Sequence, residues 1–374
     1  MKINIPDYVD GALSILRSAG HEGFVVGGCV RDILMGKRPA DWDICTSARP
    51  EQIKEAFSGY QTIDIGMKHG TVAVLTSGGP VEITTYRIDG AYLDNRHPEK
   101  VMFTDDLTED LARRDFTMNA IAYHPEDGLR DPFDGQKAIA DRLIRCVGEP
   151  VKRFEEDALR ILRGLRFASA LGFQIEEESA EAMGQCAERI RKVSAERINV
   201  ELSKLIMGDS ADKILQAFAD IFEIAAPGFC ASLVNDAPKN LPVRLALLFP
   251  EDTEETLRRL KYDNHTIKTA SALSRLMQKP EPCGKVEIKR FLCAEGEEIA
   301  GLYFDAVGRS AELEDILRSG ECYSIRQLAV CGRDLIAGGV EPGPEVGRQL
   351  DWLLGLVIEG KIENNKAALL KRLR

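Results

Sequence analysis

Two carboxylates stand two residues apart in Asp41-Trp42-Asp43-Ile44-Cys45, a run whose polar and apolar residues alternate like a strand. On a strand such residues share one side, so Asp41 and Asp43 lie together while Trp42 faces the other way. Neighbouring carboxylates repel unless a cation sits between them. Hard oxygen ligands of this kind suit magnesium, which takes one or two carboxylates plus substrate phosphates. An isolated D-x-D is most often a pair of surface acids, but this one has company. Gly27-Gly28-Cys29-Val30-Arg31-Asp32 lies upstream, where a short strand passes into a helix. Glycines there let backbone approach a triphosphate, a helix start offers N–H groups without partners, and Arg31 can grip phosphate with two parallel bonds.

Two further strings combine acids and arginines. Arg113-Arg114-Asp115-Phe116-Thr117-Met118-Asn119-Ala120 begins inside a helical stretch that starts near residue 107. Glu156-Asp157-Ala158-Leu159-Arg160 continues through Arg163 and Arg166. Asp157 and Arg160 are three apart, which places them on one face of a helix. An acceptor and a fork of donors at that spacing can present an edge resembling a complementary base. Arg163 and Arg166 extend the series, each step of three drifting about 60° around the helix. The plain alternative is an amphipathic helix with Ala158, Leu159, Ile161, Leu162 and Leu165 buried and the arginines outside. Both readings hold together, because the two stripes occupy different faces.

The elements that must position these residues fall into two kinds. The first 140 or so residues read as mixed α/β. Helical spacing covers 7–18, a strand 24–26, a helix 30–35 stopped by Gly36, and a helix 50–57 opened by Pro50. Strands at 70–75 and 81–87 are joined by a Ser77-Gly78-Gly79 turn. A polar segment then leads to a helix over 107–122. Beyond Pro150 strand signals largely stop, and helices are expected over 154–171, 178–192, 195–207, 241–248, 253–260, 265–277, 285–291, 349–358 and 365–373.

Bulk composition narrows the class. A chain of 374 residues is long for one core, and 6% aromatic residues argues against an all-β architecture. No apolar run is long enough to cross a bilayer, and the N-terminus carries acids where a secretory signal would be apolar. Nine cysteines, with no CxxC pair and no zinc spacing, read as reduced, mostly buried thiols of a cytoplasmic protein. The net charge of −11 runs against nucleic-acid binding unless basic residues cluster where they are needed; the arginines between 160 and 166 are such a cluster. His265 reads as a surface residue, and no adjacent His-Asp pair follows.

The glycine pair followed by D-x-D resembles the polymerase β-like nucleotidyltransferases, in which two metals clamp the attacking hydroxyl and the leaving pyrophosphate. RRDFTxNA and EDxxR, together with GGxVRD, are similar to the class II tRNA nucleotidyltransferase and bacterial poly(A) polymerase family. The matches run from about residue 23 to 207. The resemblance implies an α+β fold: a head with a small mixed sheet (1–140), then an all-helical neck (141–207), body (208–310) and tail (311–374). It implies magnesium on Asp41 and Asp43, with Glu82 as a third carboxylate or else an ordinary strand acid. It places nucleotide at Gly28, Arg31, Arg114, Asp115 and Asn119, Asp115 accepting from a ribose hydroxyl. Asp157 and Arg160 would read the base, and Arg163 and Arg166 would meet phosphate.

The implied activity is addition of the 3′-terminal CCA to tRNA from CTP and ATP without a template, the body and tail gripping the acceptor stem and elbow. Gly66-Met67-Lys68-His69-Gly70 and the 87–98 segment resemble the CCA-adding branch more than CC-adding or poly(A)-forming relatives. An inactive RNA-binding module would have no need of the metal carboxylates. A transferase acting on protein or small molecules leaves the long helical part unexplained. The sequence leaves open whether the chain works alone or as a homodimer.

Overall fold

The computed structural model describes residues 3–66, 70–89, 101–230 and 237–373, and its chain divides into two compact units, Met1–Pro227 and Gly228–Arg374. The segments 67–69 and 90–100, which carry much of the expected difference between CCA-adding and other relatives, lie outside the described residues.

In the first unit, helix α1 (Asp7–Ser18) buries Val9, Ala12, Leu13 and Leu16, one stripe at helical spacing. Seven strands form a mixed sheet: β1 (Gly23–Val26), β2 (Asp43–Thr46), β3 (Gln61–Gly66), β4 (Thr71–Thr76), β5 (Gly79–Thr85), β8 (Ala122–His124) and β9 (Gly128–Arg130). Their order is β3-β4-β5-β2-β1-β8-β9, with β2 parallel to β5 and the other neighbours antiparallel. Strands β6 (Arg87–Asp89) and β7 (Val101–Phe103) form a separate ribbon. Alternation sends Val25, Ile44, Val72, Val74, Val81 and Ile83 to one face, against α1, α2 (Gly28–Leu34) and α3 (Pro50–Ala56). Phe24, Val26, Cys45 and Tyr86 meet Leu111 of α4 (Leu107–Ala112) on the other. Each fully buried Ile, Leu or Val contributes roughly 1.5–3 kcal/mol. Because both faces are covered, the central strands cannot slip without exposing one set.

Three of the expected elements that carry site residues differ. The strand over 41–45 is β2, Asp43–Thr46, and Asp41 sits in the bend before it; Trp42 still faces away, packed with Ile44. The helix expected over 107–122 stops at Ala112. Phe116 bridges to Cys146, the Thr117 N–H donates to the Arg145 carbonyl at 2.9 Å, and Ala122 and Tyr123 join β1 as β8. These long-range partners override the local periodicity. The helix expected over 154–171 is two: α6 (Pro150–Glu156) and α7 (Leu159–Leu171). Between them Asp157 is extended, at φ −147°, ψ 103°.

The remainder of this unit is α5 (Gly135–Ala140), the short parallel pair β10 (Leu143–Ile144) and β11 (Gln174–Ile175), and four helices. These are α8 (Glu177–Cys186), α9 (Ala195–Ile206), α10 (Ala211–Ala217) and α11 (Ala219–Ala225). The second unit holds no strand among the described residues. Its helices are α12 (Leu241–Leu248), α13 (Thr253–Arg259), α14 (Asn264–Met277), α15 (Gly284–Ala306, broken at Gly296), α16 (Ser310–Ser319), α17 (Gly332–Ala337), α18 (Pro344–Ile358) and α19 (Lys366–Leu370). Leu335, Leu353, Leu354, Ile358 and Leu369 form a core there, and Asn240, Asp263 and Asn365 cap helix starts with side-chain oxygens. His265 lies on the surface. All nine cysteines are free, and five of them are buried.

Two glycines make opposite predictions. A Cβ at Gly135 would overlap the Thr117 carbonyl oxygen and lie 2.6 Å from Ile121 Cγ1, whereas Gly184, exposed in α8, has nothing near. Gly135→Ala should lower stability by about 1–3 kcal/mol despite better helix propensity. Gly184→Ala should raise it by about 0.5–1 kcal/mol; denaturant melts of the two variants check both signs.

Candidate active site

The turn from β1 into α2 sets the floor of the site. Gly27 adopts φ +81°, a backbone region that L-residues rarely enter, and a Cβ there would come 3.2 Å from Arg114 Nη1. Arg31, one turn into α2, donates to Asp32 Oδ1 at 2.9 and 2.6 Å and to Asn119 Oδ1 at 2.8 Å. Parallel pairing of β2 with β5 sets Asp43 beside Glu82, so their side chains stand on the same face, the side opposite Trp42 and Ile44. Burial, then Asp41, then Glu82 push the Asp43 carboxyl up to about 6, against the opposing pull of Arg114. That is the signature of a carboxylate short of a cation.

A cavity of about 500 Å³ joins this end to the neck. Gly28, Arg31, Asp41, Asp43, Arg114, Asp115, Asn119, Asp157, Arg160, Arg163 and Arg166 all line it, so the structure brings together every expected site residue except Glu82, which is outside the lining and paired with Asp43 on the neighbouring strand. Among the described residues no three His, Cys, Asp or Glu side chains converge at metal-ligating distance. The donor set is therefore two neighbouring carboxylates with a third alongside, which fits an ion that completes its shell with phosphate oxygens and water.

At the other end the acids already have partners. Asp115 Oδ1 accepts from the Phe116 N–H at 2.8 Å and Asn119 Nδ2 at 3.1 Å; Oδ2 accepts from Arg163 Nε at 2.8 Å. Burial alone would raise the Asp115 carboxyl, but Arg163, Asn119 and the Phe116 N–H outweigh it and hold it at about 2. Fully buried Asp110 receives Arg113 at 2.7 Å and Arg114 at 3.1 Å.

The expected base-reading pair does not share a helical face. Asp157 lies in the break, where its Oδ1 accepts from the Leu159 N–H at 3.0 Å, capping α7, and its Oδ2 accepts from Arg197 Nη2 at 2.7 Å. Arg160, only 8% exposed, donates to Glu156 at 2.8 Å and to the Arg153 and Arg113 carbonyls at 3.1 and 2.9 Å. The 154–171 stretch has no proline at the break, so periodicity could not reveal it; the capping aspartate is the only local sign.

Sequence reasoning missed Arg87, Arg113, Phe167 and Arg197 as pocket residues. Arg197 belongs to the helix expected over 195–207, and nothing local points it at Asp157, 40 residues away. Arg113 stands in the Arg113-Arg114-Asp115 run, where arginine beside acid was the available signal, and Arg87 closes the strand expected over 81–87.

The low Asp115 value carries a pH prediction. With its folded value held below the unfolded one, the carboxylate contributes on the order of 2 kcal/mol in full above about pH 4, lost as pH falls towards 2. Asp115→Asn should therefore melt earlier than the parent at neutral pH, and thermal scans should show the gap closing as acid protonates the parent carboxylate.

Comparison with known proteins agrees with this geometry. Residues 23–145 match the poly A polymerase head domain, 172–228 a probable RNA and SrmB binding site of polymerase A, and 243–373 a tRNA nucleotidyltransferase domain 2. The chain is 37% identical to the CCA-adding enzyme of Levilactobacillus brevis, covering 96% of this chain and 94% of that one. Against the Geobacillus kaustophilus CCA-adding enzyme the figures are 38%, 95% and 93%. The crystal structure of the Bacillus stearothermophilus CCA-adding enzyme in complex with CTP superposes with a TM-score of 0.86 at 33% identity, covering 98% of this chain and 96% of that one. With a glycine turn, strand carboxylates and an arginine wall assembled in one cavity, and likeness along nearly its whole length, the chain belongs to the CCA-adding enzyme family of tRNA nucleotidyltransferases.

Proposed function

We propose that the chain adds cytidine, cytidine and adenosine to the 3′ end of tRNA, taking them from CTP and ATP without a nucleic-acid template and releasing pyrophosphate. The observation that carries this reading is electrostatic: one cavity holds under-neutralised carboxylates at one end and eight arginines around the rest. A nucleoside triphosphate with its metal has the complementary distribution.

Asp41 and Asp43 would hold the divalent ion, magnesium by the chemistry of the donors, with Glu82 adding negative charge beside them. Bound there, the ion supplies Lewis acidity toward the α-phosphate and the attacking 3′-hydroxyl. Gly27 and Gly28 keep the floor clear for phosphate, and Arg31, Arg163 and Arg166 supply donors to it. Asp115 acts chiefly by aiming Arg163 and Asn119, since its oxygens are already engaged by protein donors. Asp157 and Arg160 choose between cytosine and adenine; each must loosen its present partner, Arg197 or Glu156, to offer a base-reading edge.

Residues 1–140 serve as head and 141–207 as neck, while 208–310 and 311–374 form the body and tail that recognise the tRNA acceptor stem and elbow by shape and phosphates. The free thiols support a reducing, cytoplasmic setting for this activity.

Incubation with magnesium, tRNA lacking its 3′ end, and CTP and ATP singly or together tests the reading on a sequencing gel. Addition of C, C and A followed by a stop is expected. Arrest after two cytidines, an adenosine ladder, or no product would each replace it, the last with an RNA-binding module. Asp41→Ala should abolish incorporation with tRNA affinity near the parent's; normal turnover would remove the metal assignment. Arg160→Ala, checked for folding by its melting curve, should erode the CTP-to-ATP choice by about tenfold or more while tRNA affinity holds, and unchanged selectivity would refute base reading.

A further inference from the structure

One apolar side chain interrupts the charged wall. Phe167 on α7 is 7% exposed and lines the cavity. Three guanidiniums gather about its ring, with their Cζ atoms 4.0 Å (Arg166), 5.1 Å (Arg31) and 5.6 Å (Arg163) from the ring centroid. Arg163 and Arg166 share α7 with it, but Arg31 arrives from α2. Each arginine also has a carboxylate: Asp32 at 2.6 Å from Arg31, Asp115 at 2.6 Å from Arg163, and Glu201 at 2.7 Å from Arg166. These acids lie on separate segments; Glu201 also stands 3.8 Å from Arg163, but none of the three acids pairs with all three arginines. The aromatic ring is the group that all three share.

Three like charges around one point repel. Burial lowers the readiness of Arg166 to stay charged, and Arg163 and Arg31 add to that while Glu201 opposes it. The electron-rich face of an aromatic ring attracts cations within about 6 Å of its centroid, and offsets such repulsion without occupying a donor. The ring is itself held: Phe116, fully buried, meets it edge-on at 6.0 Å and 86°.

We propose that Phe167 is a positioning residue, whose ring gathers Arg31, Arg163 and Arg166 into one preassembled patch for the triphosphate of the incoming nucleotide. The proposal rests on the nucleotide reading of this cavity. Holding the patch ready before binding removes the ordering of three long side chains from the binding step. Because CTP and ATP carry the same phosphate chain, Phe167 serves both alike and takes no part in choosing the base.

Calorimetric titration of the full-length protein with CTP, ATP and inorganic tripolyphosphate tests this in the parent, Phe167→Leu, Phe167→Met and Phe167→Tyr. Leu and Met keep apolar bulk without a ring; where Leu lowers the melting temperature, the Met variant decides. Expected is a rise in Kd of about tenfold for all three ligands in the ringless variants, against a near-parental Tyr variant. KM for both nucleotides should rise in step, with kcat nearly unchanged. Folded ringless variants that bind as tightly as the parent would overturn the proposal. So would a loss confined to one nucleotide, or a Tyr variant as weak as Leu. A parent that binds none of the three would instead sink the nucleotide reading itself.

Discussion

Crowding of like charge is the constraint on which this site depends. Eight arginines face one cavity, and they must stay there before any anion arrives to neutralise them. The fold answers with carboxylates placed beside them: Asp32 for Arg31, Asp110 for Arg113 and Arg114, Asp115 for Arg163, Glu156 for Arg160, Glu201 for Arg166 and Asp157 for Arg197. A chain with formal charge −11 can therefore turn eight arginines into one cavity. Total charge describes the whole surface, whereas binding answers to the local field.

The two ends of the cavity treat the same residue type in opposite ways. Asp43 is pushed up to about 6 by burial and by its acidic neighbours, while Asp115 is held at about 2 by a guanidinium, an amide and a backbone N–H. The first arrangement leaves demand for a cation. The second uses a buried acid to fix the direction of an arginine. Desolvation opposes the attraction in buried pairs of this kind, so they gain little over an apolar pair of the same shape, but removing one partner strands the other. Their value here is geometric: they fix where each charged group points.

The break at Asp157 shows how packing and function meet. A continuous helix from 150 to 171 would satisfy the apolar stripe, yet Asp157 leaves helical geometry, caps α7 and reaches Arg197 on α9. The same turn lets Arg160 reach back to the Arg113 carbonyl in the head. The segment that follows the break is thus tied to the segment that precedes β8 through Arg160, and to α9 through Asp157.

Much of this protein was legible in its residues. The glycine turn, the carboxylates at 41 and 43 and the arginine strings carried the resemblance to nucleotidyltransferases because each string is complete within a few residues. The α1 stripe and the strands flanking Gly78 were legible for the same reason, since periodicity records which face is buried. Strand β8, the ends of α4 and α6, and the partners of Asp157 and Arg160 were decided only in the tertiary structure. In each case a residue distant in sequence, whether β1 for Ala122 and Tyr123, Arg145 for Thr117 or Arg197 for Asp157, supplied a hydrogen bond or ion pair that outweighed local propensity. The sequence by itself determined the glycine turn, the carboxylates and five of the eight arginines of the site. Folding decided which of them are already satisfied and which remain to be met by a ligand, because that depends on contacts no short window contains.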